Sequence, residues 1–476
     1  MTQLSTLEAG FLETEDSDRN ISLAIGGLVI LEGPMPDYGL LVSTLGARIS
    51  ESPRFVQKLQ THPFDLAPPR WVDDPNFDLA HHVRHIALPQ PGDDGELFRV
   101  VADQMARRLN RDHPLWNICV IEGLSGNRWA MLLKVHHCIG DGIATSQIFN
   151  SLCDNRTVAS FAGRTSAARE GASAASATFR LMPPSMNPVG WMSDLWSASA
   201  AVGSAAARAA RGAFELSAGI LRPAAHTSLN GPMNAMRRFS ATRVSMADIK
   251  QVCQAFEVTV NDVALAAVTE GYRDMLVRRG EQPLAESLRA LVPVSVRSAG
   301  AFDKTDNRVS VMLPYLPVEE ENPVARLRLV HSRLARTKST GQRQAGSAFM
   351  SVADYLPFPL TAWAVRLITH LPQHGVTTIA TNVPGPAEKL AVLGRKVIGV
   401  LPVPPIALQL RSGVAMVSYA DDLFFGILAD FDTMPDIDQF AGAIETAVSR
   451  LVASSKRHNA SREHRAHRKL SLVAAG

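Results

Sequence analysis

Apolar positions along the first 155 residues change period several times, and each change predicts an element. ISLAIGGLVILEG, from Ile21, reads as a strand ending at Gly33. In LFRVVADQMARRL (97–109), Leu97, Val100, Val101, Met105 and Leu109 fall on one helical face. RWAMLLKV (128–135) has the continuous apolar character of a buried strand. DGIATSQIFNSL (141–152) follows as a helix with Ile148, Phe149 and Leu152 on one side. Between about 156 and 226 the pattern fails. Stretches such as AGRTSAAREGASAASA and SASAAVGSAAARAARGA are rich in Ala, Ser, Gly and Arg. The second carries Arg208 and Arg211 and is therefore no membrane span. This region reads as an interdomain crossover with partial helicity.

Pattern returns with a capping-box spacing, Ser245 to Asp248, before IKQVCQAF. NDVALAAVTEGYRDML (261–276) predicts a helix with Asp262 in the first turn, where a carboxylate favours the macrodipole. RALVPVSVR, RVSVMLPYLP and VTTIATNVPGP supply strands that end in turns, and SGVAMVSYADDLFFGILAD a hairpin around Asp421-Asp422. Strands alternate with helices in both halves, so the expected class is α/β (α+β) in two layered domains. Their expected limits are 1–155 and 227–455, with 156–226 between them and a basic tail over 456–476.

Composition narrows this picture. With 476 residues the chain exceeds one ordinary core, and 46% hydrophobic against 20% charged residues is a globular balance. A mean hydropathy of +0.02 allows an apolar binding channel. Net charge is +3, but the last 21 residues hold six Lys or Arg (456, 457, 462, 465, 468, 469) against Glu463, leaving the body slightly acidic. No basic face dominates, so nucleic acid is not an expected partner. Cys119, Cys138, Cys153 and Cys253 have neither CxxC pairing nor zinc spacing, which predicts reduced thiols in a cytoplasmic protein. MTQLSTLEAGFLETED is acidic where a secretory signal needs a basic flank and an apolar stretch. No run approaches the roughly 18 apolar residues of a membrane span. VIGVLPVPPIALQL (397–410) is short and carries three prolines. Membrane contact, on this reading, is peripheral.

The chemistry concentrates in VHHCIGDG, Val135 to Gly142. On a strand running into the motif, His137 shares a face with Met131, Leu133 and Val135, and His136 with Ala130, Leu132 and Lys134. Neighbours on opposite faces do not readily ligate one metal. The face carrying Lys134 is expected to be packed or hydrogen-bonded, and the wholly apolar face to wall a substrate channel, which makes His137 the base. One imidazole with a matched pKa and fixed orientation suffices for general-base catalysis. Asp141, between Gly140 and Gly142, is expected to hold the turn by accepting backbone N–H bonds or pairing with an arginine, Arg297 and Arg308 being candidates. No second nucleophile feature accompanies Cys138. GxSxG, GxGxxG, GxxxxGK and HExxH are all missing, so serine-hydrolase, Rossmann, P-loop and zincin chemistries lack their signals.

HHxxxDG in this setting resembles the CoA-dependent acyltransferase superfamily, which includes chloramphenicol acetyltransferases and peptide-synthetase condensation domains. Further segments, LSTLEAGFLETED, PRWVDDPNFDLAHHVRHIALP, HPLWNICVIEGL, SLNGPMNAMRR, VNDVALAAV, LVPVSVRS and ATNVPGP, resemble the bacterial wax ester synthase/diacylglycerol acyltransferase family in order, over about 1–155 and 227–455. TLEAGFL, KTDNRVSVMLP and SYADDLFFGILAD are similar to mycobacterial triacylglycerol synthases in particular. The resemblance implies two chloramphenicol-acetyltransferase-like domains with the active site in a tunnel between them. It also implies transfer of a long-chain acyl group from acyl-CoA to diacylglycerol. Carried over by position, His137 is the general base and His136, Asp141 and Gly142 complete the motif. Pro114, Leu115 and Trp116 match the family's PLW, Asn261 and Asp262 its ND, and Thr381 and Asn382 its SNVPGP-like turn. Asn110 stands where the family often has Asp, and Thr381 where Ser is usual. Acyl-CoA and diacylglycerol are then substrates, with no cofactor or metal, and contact with the inner face of the membrane or with lipid bodies would be peripheral. Three other readings stay open: a fatty-alcohol acceptor giving wax esters, a condensation domain needing a carrier-protein partner, and a non-catalytic lipid-binding protein. All four fixed positions of HHxxxDG are intact, against the last.

Overall fold

The computed structural model describes residues 3–62, 67–140, 142–154, 225, 227–295, 309–339 and 375–474. Its apolar runs assemble into two six-stranded mixed sheets. The first contains β1 (Ala24–Glu32), β4 (Val83–Ala87), β5 (Trp116–Leu124), β6 (Arg128–His136), β11 (Ala391–Val392) and β12 (Arg395–Val403), in the order β11-β12-β1-β6-β5-β4. The second contains β7 (Arg237–Ser245), β8 (Ala290–Ser295), β9 (Val309–Met312), β10 (Thr378–Val383), β13 (Ser412–Tyr419) and β14 (Asp422–Asp430), ordered β7-β14-β13-β10-β8-β9. A small ribbon pairs β2 (Gln57–Gln60) with β3 (Arg70–Asp73).

Helices cover both sheets: α1 (Thr6–Ser17), α2 (Tyr38–Ile49), α3 (Asp94–Ala106) and α4 (Gly142–Ser151) in the first half, and α5 (Met246–Phe256), α6 (Val260–Arg278), α7 (Pro323–Ser339) and α8 (Ile437–Ala474) in the second. Leu97, Val101 and Met105 of α3 are buried, as their spacing predicts, and so are Ile148 and Phe149 of α4. The expected hairpin forms with Tyr419 opposite Asp422. Ser245 does cap α5, but by accepting the Ala247 N–H at 3.2 Å. The reciprocal box sits one helix later, where Thr259 and Asp262 of α6 exchange side-chain and backbone bonds.

Two features depart from the linear reading. Residues 391–403 lie within the segment expected to be the second domain, yet β12 pairs antiparallel with β1 of the first sheet. A Cβ at Gly426 in β14 would lie 1.6 Å from the Pro402 carbonyl oxygen, so the crossing strand rests directly on the second sheet's backbone. Accordingly the first hydrophobic core runs on into Val417, Tyr419, Phe424 and Leu428. The expected tail from 456 is no separate unit either. It continues α8, because neither Gly nor Pro interrupts the chain between Gly442 and Gly476. The expected crossover at 156–226 lies outside the described residues, apart from Ala225.

Among the described residues no single helix is long and apolar enough to cross a membrane. α5 and α6 would suffice only as a pair bent by 103°, and much of α6 is buried in the second core.

Candidate active site

β6 delivers the histidine pair. Lys134 is buried, and its ammonium donates to the carbonyl of Gln104 at 2.7 Å and to that of Arg107, just past the end of α3. Burial lowers the Lys134 pKa to about 8. The strand ends at His136, whose N–H donates to the Leu115 carbonyl at 2.9 Å; the His137 N–H donates to that of Leu23 at 3.0 Å. His137 therefore sits in the turn, one residue beyond the strand that was expected to carry it. The facing nonetheless separates the two rings. His136 is 1% exposed, on the same strand face as Lys134, whereas His137 is only half-buried. Met131, Leu133 and Val135 are packed in the first core, so the apolar face is packing there and not the expected channel wall.

α1 reaches both rings. Its start is fixed by a capping box between Ser5 and Glu8. Phe11 and Glu15 are one turn apart on the same face. The Phe11 ring stacks on His137 with centroids 4.3 Å apart and planes 25° from parallel. The Glu15 carboxylate, itself 1% exposed, lies 3.5 Å from His136 Nε2. It accepts the Leu23 N–H at 3.0 Å and an Arg111 N–H at 3.0 Å. Burial alone would raise the Glu15 pKa, but His136, Arg111 and the Leu23 N–H outweigh it and hold it near 2. Arg111 also binds Asp16 at 2.7 Å, and Arg108 donates to the carbonyls of Ile21, Glu15 and Asp18. On the far side of His136, Nδ1 lies 3.2 Å from the Cys138 N–H. Sequence reasoning did not single out Phe11, Glu15 or Arg111. The available signal was an aromatic and a carboxylate one helical turn apart in LEAGFLETED.

The other expected residues divide into two groups. Pro114, Leu115 and Trp116 support the motif from below. The Trp116 ring is 1% exposed, stacks on His82 at 4.5 Å and donates Nε1–H to the Phe55 carbonyl at 2.8 Å. Asp262 is buried as a cap and also meets His331 Nδ1 at 2.8 Å. Asn261 instead turns toward β10, where its Oδ1 accepts from Asn382 Nδ2 at 3.4 Å; Thr381 precedes it, half-buried. Gly142 opens α4, and a Cβ there would lie 2.8 Å from Val383 Cγ2. The histidine motif and the TNVPG turn thus meet across the seam between the two sheets, and the glycine is what lets them approach. Asp141 lies outside the described residues, as do its candidate partners Arg297 and Arg308. Burial raises the Cys138 thiol well above its ordinary pKa, which suits packing rather than nucleophilic attack.

Comparison with known proteins gives the family and the fold. The wax ester synthase/diacylglycerol acyltransferase catalytic domain matches residues 4–264, and the C-terminal domain of the same family matches 305–451. A probable diacylglycerol O-acyltransferase of Mycobacterium tuberculosis is 54% identical over 99% of this chain and 100% of its own. The O-acyltransferase WSD of Acinetobacter baylyi is 28% identical over 94% of this chain and 96% of its own. Among solved structures, the wax ester synthase/diacylglycerol acyltransferase of Marinobacter aquaeolei VT8 superposes with a TM-score of 0.66 at 23% identity, covering 96% of this chain and all of the other. The first condensation domain of the CDA synthetase gives 0.58 at 16% identity, over 94% and 96%. The fold is therefore the two-domain chloramphenicol-acetyltransferase type, and the chain belongs to the wax ester synthase/diacylglycerol acyltransferase family of acyltransferases.

Proposed function

We propose that this acyltransferase moves a long-chain acyl group from acyl-CoA to the free hydroxyl of diacylglycerol, with His137 as general base. One observation carries the assignment of the base: of two adjacent imidazoles, His136 is buried between the Cys138 N–H and the Glu15 carboxylate, while His137 is half-buried with one face on Phe11. His137 Nδ1 is buried, and the proton transfer is assigned to Nε2. In the proposed step Nε2 takes the diacylglycerol hydroxyl proton as the oxygen attacks the thioester carbonyl. The tetrahedral intermediate then expels the CoA thiolate, and the imidazolium returns its proton to sulfur. Transfer is direct, without an acyl-enzyme, a metal or a resident cofactor. Asp141 would hold the turn, and the seam where Val383 meets Gly142 would border the passage for the acyl chains.

Diacylglycerol as acceptor is supported by the name of the relative that is 54% identical over the whole chain. A fatty alcohol giving a wax ester would use the same residues. Purified protein given labelled long-chain acyl-CoA with equimolar diacylglycerol and hexadecanol should yield mainly triacylglycerol, unchanged by a chelator. Wax ester alone would overturn the acceptor, and neither product would overturn the activity. Peripheral contact with an anionic lipid surface is proposed through the basic end of α8, where each Lys or Arg contributes roughly 1 kcal/mol. Removing 456–476 should weaken binding to anionic vesicles and spare turnover of detergent-dispersed substrate. Equal vesicle binding by both forms would end that proposal.

A further inference from the structure

We infer that Glu15, braced by Arg111, is a positioning residue that sets the tautomer of His136 and through it the placement of His137. The inference rests on the reading of His137 as base. His136 Nδ1 faces the Cys138 N–H at 3.2 Å, a donor that can be accepted only by an unprotonated nitrogen. The ring proton is then on Nε2, the nitrogen that lies 3.5 Å from the Glu15 carboxylate, within ion-pair reach though longer than a settled hydrogen bond. Both sides need this arrangement. A proton on Nδ1 would set two N–H groups against each other in a buried site and leave Nε2 a lone pair aimed at a carboxylate.

The consequence reaches His137 through the backbone. Cys138 N–H to His136 Nδ1 and Ile139 N–H to the His136 carbonyl, at 2.9 Å, fold the turn tightly around the first histidine. His137 is the residue that this turn presents. Its own N–H is tied to the Leu23 carbonyl at 3.0 Å, and the Leu23 N–H is bound by the other oxygen of Glu15 at 3.0 Å. Glu15 thus holds His137 by two routes, one through the His136 ring and one through Leu23. Phe11, one turn earlier on α1, sets the plane of the His137 ring. A shift of α1 would disturb both histidines together.

Glu15→Gln separates this role from simple packing. The amide keeps the volume but replaces one acceptor oxygen by a donor. With its oxygen on the Leu23 N–H, the NH2 faces Arg111 and His136 Nε2. His136 is then driven to the other tautomer, or its bond to position 15 is lost. In the full-length protein, kcat should fall about 10–100-fold, the range seen when an orienting partner of a functional histidine is removed. KM for acyl-CoA should stay within about two-fold, and Glu15→Asp should recover part of the rate. Nitrogen-15 NMR of labelled histidines, with the His136 signal identified by its loss in His136→Gln, should show acceptor-type Nδ1 in the wild type and a changed pattern in Glu15→Gln. Should Glu15→Gln fail to fold, Arg111→Met removes the brace while keeping the carboxylate, and the same changes should appear in weaker form.

An unchanged His136 pattern with kcat within two-fold of wild type would overturn the inference, as would a lower Tm with kcat intact. His137→Ala is the control on the underlying reading. Were it to keep full turnover, the assignment of the base would fall, while the NMR pattern would still report whether Glu15 sets the His136 tautomer.

Discussion

The two halves share an architecture and differ in where their buried polar groups point. Among the described residues of the second half, two buried polar groups are each shared between two partners. Tyr272 Oη meets Thr378 Oγ1 at 2.7 Å and Ser412 Oγ at 2.9 Å. Glu270 binds both Arg326 and Arg450. In the first half a chain from half-buried Arg111 through buried Glu15 to buried His136 ends on a turn whose next residue, His137, is half-buried. A buried polar group costs stability unless it is bonded. The Tyr272 and Glu270 networks of the second half close on themselves, whereas that of the first half ends beside His137. The histidine motif stands on the first sheet; the second half brings Val383 against its Gly142 and gives up a strand of its own segment, β12, to the first sheet.

That contrast can be broken at the crossing. Gly426→Ala would force a methyl group into the Pro402 carbonyl, where backbone cannot yield cheaply. The expected outcome is loss of several kcal/mol, at or beyond the upper end for overpacking, read as failure to fold or a collapsed Tm. A normal melt would mean that β12 does not lie on β14 as described.

At the seam itself the expected effect is smaller and falls on rate. Gly142→Ala should lower kcat about 10-fold by pushing the motif off Val383, and Val383→Ala in the same chain should restore most of it. Failure of that double substitution to recover activity would separate the glycine's role from the contact.

Within the second half, Tyr272→Phe removes a hydroxyl shared by two partners. It should cost about 1–3 kcal/mol in denaturant unfolding and leave turnover unchanged. A large fall in kcat would place chemistry where only structure is expected.

The Glu15 carboxylate sharpens the comparison through pH. Its folded pKa near 2 lies below the ordinary 4.5, so the folded state binds the proton less well than the unfolded one. Its stabilisation is full above about 4.5 and is lost as pH falls toward 2, on the order of 3 kcal/mol for this shift. Wild type minus Glu15→Gln stability, measured by denaturation from pH 6 down to 3, should therefore shrink with acid. A flat difference would remove the charge from the account.

Much of the architecture was legible because short apolar runs and helical spacing are local. β1, β6, β14 and α6 follow directly from their own residues. The partner of β12 was not legible: RKVIGVLPV reads as a strand wherever it pairs, and nothing local tells it to join β1. The continuation of α8 was hidden by charge. A basic stretch suggests a solvated tail, yet its Lys, Arg, Ala, Glu and His residues lack any breaker. For the site, strand alternation anticipated that His136 is buried beside Lys134 and His137 less so, even though the strand stops one residue short. Glu15 escaped notice because its partner is distant in sequence, and an acidic residue on an amphipathic N-terminal helix ordinarily faces water.

The central claim is that His137 acts on the substrate while His136 holds structure, and single substitutions of each measure it most directly. His137→Ala should lose about 10²–10⁴-fold in kcat, with acyl-CoA binding and Tm close to wild type. His136→Ala should lose Tm first, since it empties a buried site and leaves Glu15 and the Cys138 N–H without their partner. A greater loss of rate in His136→Ala at an unchanged melting temperature would contradict the account and exchange the two roles.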